Sequence, residues 1–108
     1  MLEINSKLGD TIIDNKIKSN EPPKNWRLIR ESDGLTKEST NILWLEFNED
    51  KTFKQSHNEI AVGRSLIMSP FDKDFTWHTS IITEVIEKIS NRYYKFNTKN
   101  GIYYLIRL

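Results

Sequence analysis

Apolar and polar positions alternate most clearly toward the end of the chain, where Lys95 to Leu108 reads KFNTKNGIYYLIRL. Period-two alternation on either side of Asn100-Gly101 predicts a β-hairpin. If Asn100-Gly101 alone forms the loop, Lys99 opposes Ile102 and Lys95 opposes Ile106, which mixes charged and core residues on one face. A loop of Lys99, Asn100 and Gly101, with Gly101 left-handed in a bulge, instead opposes Thr98 to Ile102, Phe96 to Tyr104 and Tyr94 to Ile106. That register is preferred because it makes one face apolar throughout. The other face then carries Tyr93 across from Arg107, Lys95 across from Leu105 and Asn97 across from Tyr103.

Upstream, Gly9-Asp10 precedes a β-branched run that predicts a strand at about Thr11 to Asp14, with Leu2 and Ile4 as a short edge segment. Pro22 and Pro23 lack backbone donors and predict an extended connector. Trp26 to Arg30, WRLIR, resumes as a strand, and Glu31 to Thr40 is rich in turn formers and predicts a polar loop. NILWLEFNEDKTFKQ, from Asn41 to Gln55, predicts a second hairpin. Its loop of Glu49, Asp50 and Lys51 would oppose Phe47 to Phe53 and Glu46 to Lys54. The last loop position favours a left-handed glycine, so Lys51 would cost about 1 kcal/mol there. SLIM, after Val62-Gly63-Arg64, is a short apolar run, and PFDKDF reads as a loop.

TSIITEVIEKIS carries two conflicting signals. Ile81, Ile82, Val85, Ile86 and Ile89 fall at helical spacing with Ser80 able to cap, yet all are β-branched and the segments that follow are strands. Propensity and context predict a strand. The sum is a single, mainly β domain over residues 1–108, a small antiparallel barrel or sandwich of about six to eight short strands. A helix at Ser80 to Ser90 would make it α+β.

Composition narrows the chemistry. The 108 residues include no cysteine, which excludes disulfides, thiolate metal sites and thiol nucleophiles. A 37% hydrophobic and 29% charged content is that of an ordinary globular domain. MLEINSKLGD shows neither a basic n-region nor an apolar h-region, and no stretch approaches the ~20 apolar residues of a membrane span, so the expected location is cytoplasmic with no membrane contact. Heavy use of isoleucine, asparagine and lysine points to an AT-rich genome. Net charge is +1 but unevenly spread. From Glu31 to Glu59 there are seven acids against three lysines, whereas Lys88, Arg92, Lys95, Lys99 and Arg107 face no acid from Lys88 onward. Such a local basic excess attracts phosphates or an acidic partner.

The order WRLIR, LEFNEDKTF and ITEVIEKISNRYYKFNTKNGIYYLIRL resembles short lipocalin-like barrels of bacteria, in which a tryptophan strand precedes a phenylalanine hairpin and a final meander. The resemblance implies a barrel and an apolar ligand inside it; the chain departs in having Lys51 where that hairpin usually carries glycine. FTWHTSIITEVIE followed by FNTKNGIYYL is similar to small phage and mobile-element proteins of AT-rich bacteria. That likeness implies an accessory or host-modulating role.

His57 and His78 are the titratable groups suited to acid–base work, and Asp72, Asp74 and His78 form a D-x-D-x-x-x-H string with possible metal-ligand character. Its spacing matches no strong metal signature, and loop aspartates are commonly solvated turn residues, so neither a metal nor a cofactor is expected. No G-x-S-x-G elbow, P-loop or dinucleotide fingerprint accompanies the serines and threonines, and Glu84 with Glu87 suits a solvated strand face. No catalysis is expected. Trp26, Trp44 and Trp77 suit the core better than a ligand pocket. The candidate site is therefore a surface: Tyr93, Lys95, Tyr103 and Arg107, with Arg92 and Lys99 near its ends. Rings and cations interleaved in this way suit a protein partner or, alternatively, single-stranded nucleic acid.

Overall fold

Residues 22–108 are described by a computed structural model. The segments expected at Thr11 to Asp14 and at Leu2 and Ile4 lie outside the described residues. Among these residues nine strands follow one another: β1 (Trp26–Arg30), β2 (Thr36–Ser39), β3 (Ile42–Phe47), β4 (Phe53–His57), β5 (Arg64–Met68), β6 (Trp77–His78), β7 (Ile82–Ile89), β8 (Tyr93–Thr98) and β9 (Gly101–Arg107). All pairings are antiparallel, in a five-stranded sheet of order β2-β1-β9-β8-β7 and a four-stranded sheet of order β4-β3-β5-β6. The fold is mainly β and sandwich-like. Among the described residues the two sheets do not form the closed barrel implied by the lipocalin-like resemblance.

Alternation explains how the sheets meet. Leu28, Tyr94, Phe96, Tyr103, Leu105 and Ile82 project from the five-stranded sheet onto Trp44, Leu66 and Met68 of the other. Trp44 stands edge-on to Tyr94 at 5.6 Å and to Phe96 at 5.7 Å, so aromatic rings fill the space between the sheets. Each fully buried apolar side chain contributes roughly 1.5–3 kcal/mol relative to exposure. Trp26 and Trp77 pack against this cluster, half-buried. All three tryptophans thus serve the core, and Arg30 and Lys37 each lie 5.4 Å from the Trp77 ring centroid.

The ambiguous segment is a strand, and its helical spacing has a structural cause. β7 pairs Ile82 with Thr98, Glu84 with Asn97, Val85 with Phe96 and Glu87 with Lys95, slipping one residue between Ile82 and Glu84 and again between Val85 and Glu87. Each slip is a β-bulge that adds a residue to one strand only. Ile82 and Val85 therefore both face inward although three positions apart. Ile86 and Ile89 are exposed.

The C-terminal hairpin corrects the expected register by one residue. Thr98 pairs with Gly101, Asn97 with Ile102, Phe96 with Tyr103, Lys95 with Tyr104, Tyr94 with Leu105 and Tyr93 with Ile106. The loop is Lys99-Asn100. Gly101, at φ 122°, opens β9 in a conformation that side chains rarely tolerate. Thr98 ties the turn: its hydroxyl donates to the Gly101 carbonyl at 2.9 Å and accepts from the Asn100 amide at 3.1 Å. A one-residue slip turns a strand over. Tyr103 and Leu105 are accordingly buried, while Ile102, Tyr104 and Ile106, expected in the core, lie half-buried on the outer face.

The β3–β4 hairpin keeps the expected loop, with Phe47 opposite Phe53 and Lys51 left-handed at φ 74°. A bulge after Glu46 sets that residue opposite Gln55 rather than Lys54, though the Lys54 ammonium still reaches its carboxylate at 3.5 Å. Within the expected polar loop, Thr36 to Ser39 instead forms β2 at a sheet edge.

Candidate functional site

The register decides where the six candidate surface residues stand. Tyr93 and Lys95 face outward from β8, as expected. Tyr103 is only 3% exposed and stacks on Phe96, with ring centroids 5.9 Å apart. Arg107 shares the inward parity of Tyr103 and Leu105, and its guanidinium lies 5.3 Å from the Trp26 ring centroid, off the outer face. Arg92 sits in the β7–β8 turn and Lys99 in the β8–β9 turn, at opposite ends of the hairpin. The expected patch is therefore split among an outer face, the core and two ends.

What occupies the outer face is different. Paired residues share a face, so two rows cross all five strands: Ile89, Tyr93, Ile106, Arg27, Glu38, and beside it Glu87, Lys95, Tyr104, Ile29, Thr36. The Lys95 ammonium lies 5.3 Å from the Tyr104 ring centroid. The Tyr104 hydroxyl donates to Glu31 at 2.7 Å, and that bond to a carboxylate raises its pKa above the usual phenol value. Arg27 is hydrogen-bonded to Glu38 at 2.6 Å. An antiparallel sheet with one face in water normally carries polar residues there. Here Ile29, Ile106, Ile102, Tyr93 and Tyr104 form a half-buried apolar strip, rimmed by the cations Arg27 and Lys95 and the acids Glu31, Glu38, Glu84 and Glu87.

A second feature lies where the β3–β4 and β8–β9 turns approach one another. A cleft of about 500 Å³ is lined by Phe47, Lys51, Ser80, Ile81 and Lys99, among others, with His78 and Ser65 on one wall. His78 Nε2 and Ser65 Oγ are hydrogen-bonded at 2.9 Å, while Phe47 stacks on the imidazole and Phe75 meets it edge-on. Burial pushes the His78 pKa below its ordinary value. This pair has the elements of a nucleophile and its base. Ser65 is only 1% exposed, so little of it is open to the cleft.

The remaining candidates serve local structure. His57 is 2.7 Å from Glu46, whose carboxyl is held down at a pKa of about 2, chiefly by that contact and by Gln55. Asp72 accepts from the Asp74 amide at 2.8 Å, closing its own turn, while His78 is engaged with Ser65; the described residues bring no three acids or histidines together around a cation. Glu84 and Glu87 both lie on the outer face of β7.

Neither the outer strip nor the cleft was evident in the sequence. The strip follows from a one-residue register choice, and the cleft joins turns far apart along the chain. Fold and geometry define a small all-β sandwich with one apolar outer face. Comparison with known proteins finds no matching family model, curated protein or solved structure.

Proposed function

We propose that the protein is a non-catalytic binding module that engages a protein partner through the outer face of its five-stranded sheet. One observation carries this reading: Ile29, Tyr104, Ile106 and Tyr93 lie side by side on a face where a solvated sheet would be polar. Half-exposed aromatic rings amid aliphatic side chains suit the centre of a protein interface, and the charged residues around them suit its polar rim.

Charge separates this from the nucleic-acid reading. The face offers Arg27 and Lys95 as cations against Glu31, Glu38, Glu84 and Glu87. Arg92, Lys99 and Arg107, which would have made it basic, lie elsewhere. A phosphate backbone needs a surplus of cations to release its counterions, and this face has none. With the resemblance of FTWHTSIITEVIE and FNTKNGIYYL to small phage and mobile-element proteins, the proposed partner is a host protein and the proposed role that of an accessory or modulating factor in the cytoplasm.

The test compares wild-type protein with Ile106→Lys and Tyr104→Ser variants, each first checked for native circular dichroism, in capture from host extract. Loss of a specific bound protein with both variants is the expected outcome. Equal capture by all three proteins would refute the assignment to this face. A fluorescent oligonucleotide that binds wild type at low salt, and not the variants, would transfer the face to nucleic acid.

A further inference from the structure

The cleft between the two turns is a separate feature, and it does not depend on what occupies the outer sheet face. We propose that it is a binding site for a small organic anion, a carboxylate carried on an apolar body. Its volume, about 500 Å³, suits a ligand of modest size. Phe47 and Ile81 supply apolar wall, and among the polar lining residues three come from elements of both sheets: Lys51 from the β3–β4 turn, Lys99 from the β8–β9 turn, and Ser80 from the segment between β6 and β7.

Two of these groups are poorly explained by the fold alone. The Ser80 hydroxyl oxygen is buried and has no hydrogen-bond partner among the described residues. A buried hydroxyl is ordinarily paired, and one that is not invites an acceptor. Lys51 is left-handed at φ 74°, at the loop position where glycine would be unstrained. Backbone strain of this kind tends to collect at functional sites. The lysine there lines the cleft together with Lys99. Glu49 is the only carboxylate among the lining residues, so the two lysines leave the cleft net positive. Lysines act as point charges without the planar fork of arginine. They suit a single carboxylate whose apolar remainder lies along Phe47 and Ile81, with the Ser80 hydroxyl donating to it.

The test is an amide NMR titration of the intact protein with octanoate, using 1-octanol as the uncharged control. Saturable shifts confined to the cleft residues, Phe47, Lys51, Ser80, Ile81 and Lys99 among them, with octanoate binding about tenfold tighter than octanol, are expected. Lys51→Gly should raise the melting temperature, because it relieves the strained turn, and at the same time weaken octanoate binding severalfold. Lys99→Gln should weaken binding similarly. Equal binding of octanoate and octanol, shifts scattered over the surface or absent at millimolar octanoate, or full affinity in Lys51→Gly would each overturn the proposal.

Discussion

Phe96 and Tyr103 face one another directly across the C-terminal hairpin, their rings 5.9 Å apart and 21° from parallel. This one pairing sets which side of β9 enters the core. Tyr103 belongs to the interior and Tyr104, its neighbour, to the outer face.

Neighbouring tyrosines should therefore differ sharply in their effect on stability. Phe96→Ala removes a ring that is 0% exposed and should cost about 3–5 kcal/mol. Tyr103→Ala should cost a comparable amount, and Tyr104→Ala about 1 kcal/mol or less. Urea denaturation measures all three. A larger loss from Tyr104→Ala than from Tyr103→Ala would mean that the hairpin is paired one residue out.

Lys51→Gly should stabilise the protein by about 1 kcal/mol, since glycine adopts φ 74° without the Cβ clash that lysine suffers. The gain should appear as a higher denaturant midpoint at unchanged slope. A midpoint that falls would show that the lysine side chain holds the turn by contacts stronger than its strain.

Glu46 makes stability depend on acid. Its folded pKa of about 2 lies below its ordinary 4.5 because His57, Gln55 and Lys54 favour the charged carboxylate. The contribution is fully present above about pH 4.5 and is lost as pH falls through about 2. Asp33, held near 2 by Arg30 and the Leu35 amide, acts in the same direction. Glu46→Gln should flatten the pH dependence of the urea midpoint in this window without abolishing it. An identical slope in wild type and variant would remove Glu46 from the account.

His78 acts at milder pH. Its folded pKa is lowered by burial, so the unfolded chain takes up a proton first on acidification. Its stabilising effect is complete above the ordinary histidine value of 6.5 and declines as pH falls below it. His78→Gln should lessen the stability difference between pH 7.5 and 5.5. NMR titration of the imidazole supplies a direct check, and a midpoint above 6.5 would contradict the burial explanation.

The strands around WRLIR and the C-terminal hairpin were legible because apolar residues recur there beside unambiguous turn formers. The register of that hairpin was not. Both parities of β9 are apolar, Ile102, Tyr104 and Ile106 on one side and Tyr103 and Leu105 on the other, so alternation could not choose between them. Pairing apolar with apolar, Tyr94 to Ile106 and Phe96 to Tyr104, favoured the wrong parity and left Arg107 outside; at the end of the strand Arg107 stays exposed over Trp26 while sharing the inward side. β2 carries the residues TKES, whose pattern is that of a loop, and becomes a strand only because β1 offers a partner. The candidate surface inherited the register error, whereas the cleft was illegible for another reason: it joins Phe47, Gly63, Ser80 and Lys99 only through tertiary structure.

The two bulges in β7 bear on how this protein behaves when crowded with its own copies. Among the described residues β7 is an outer edge of the five-stranded sheet, and its sequence ITEVIEKI is β-branched and free of proline. An open edge of that composition is a template on which further chains can stack into fibrils. An incoming strand would meet an unmatched residue at two places along eight, beside the charges of Glu84, Glu87 and Lys88. The irregularity that imitates a helix in the sequence thus makes this edge a poor template for a further strand of the same chain.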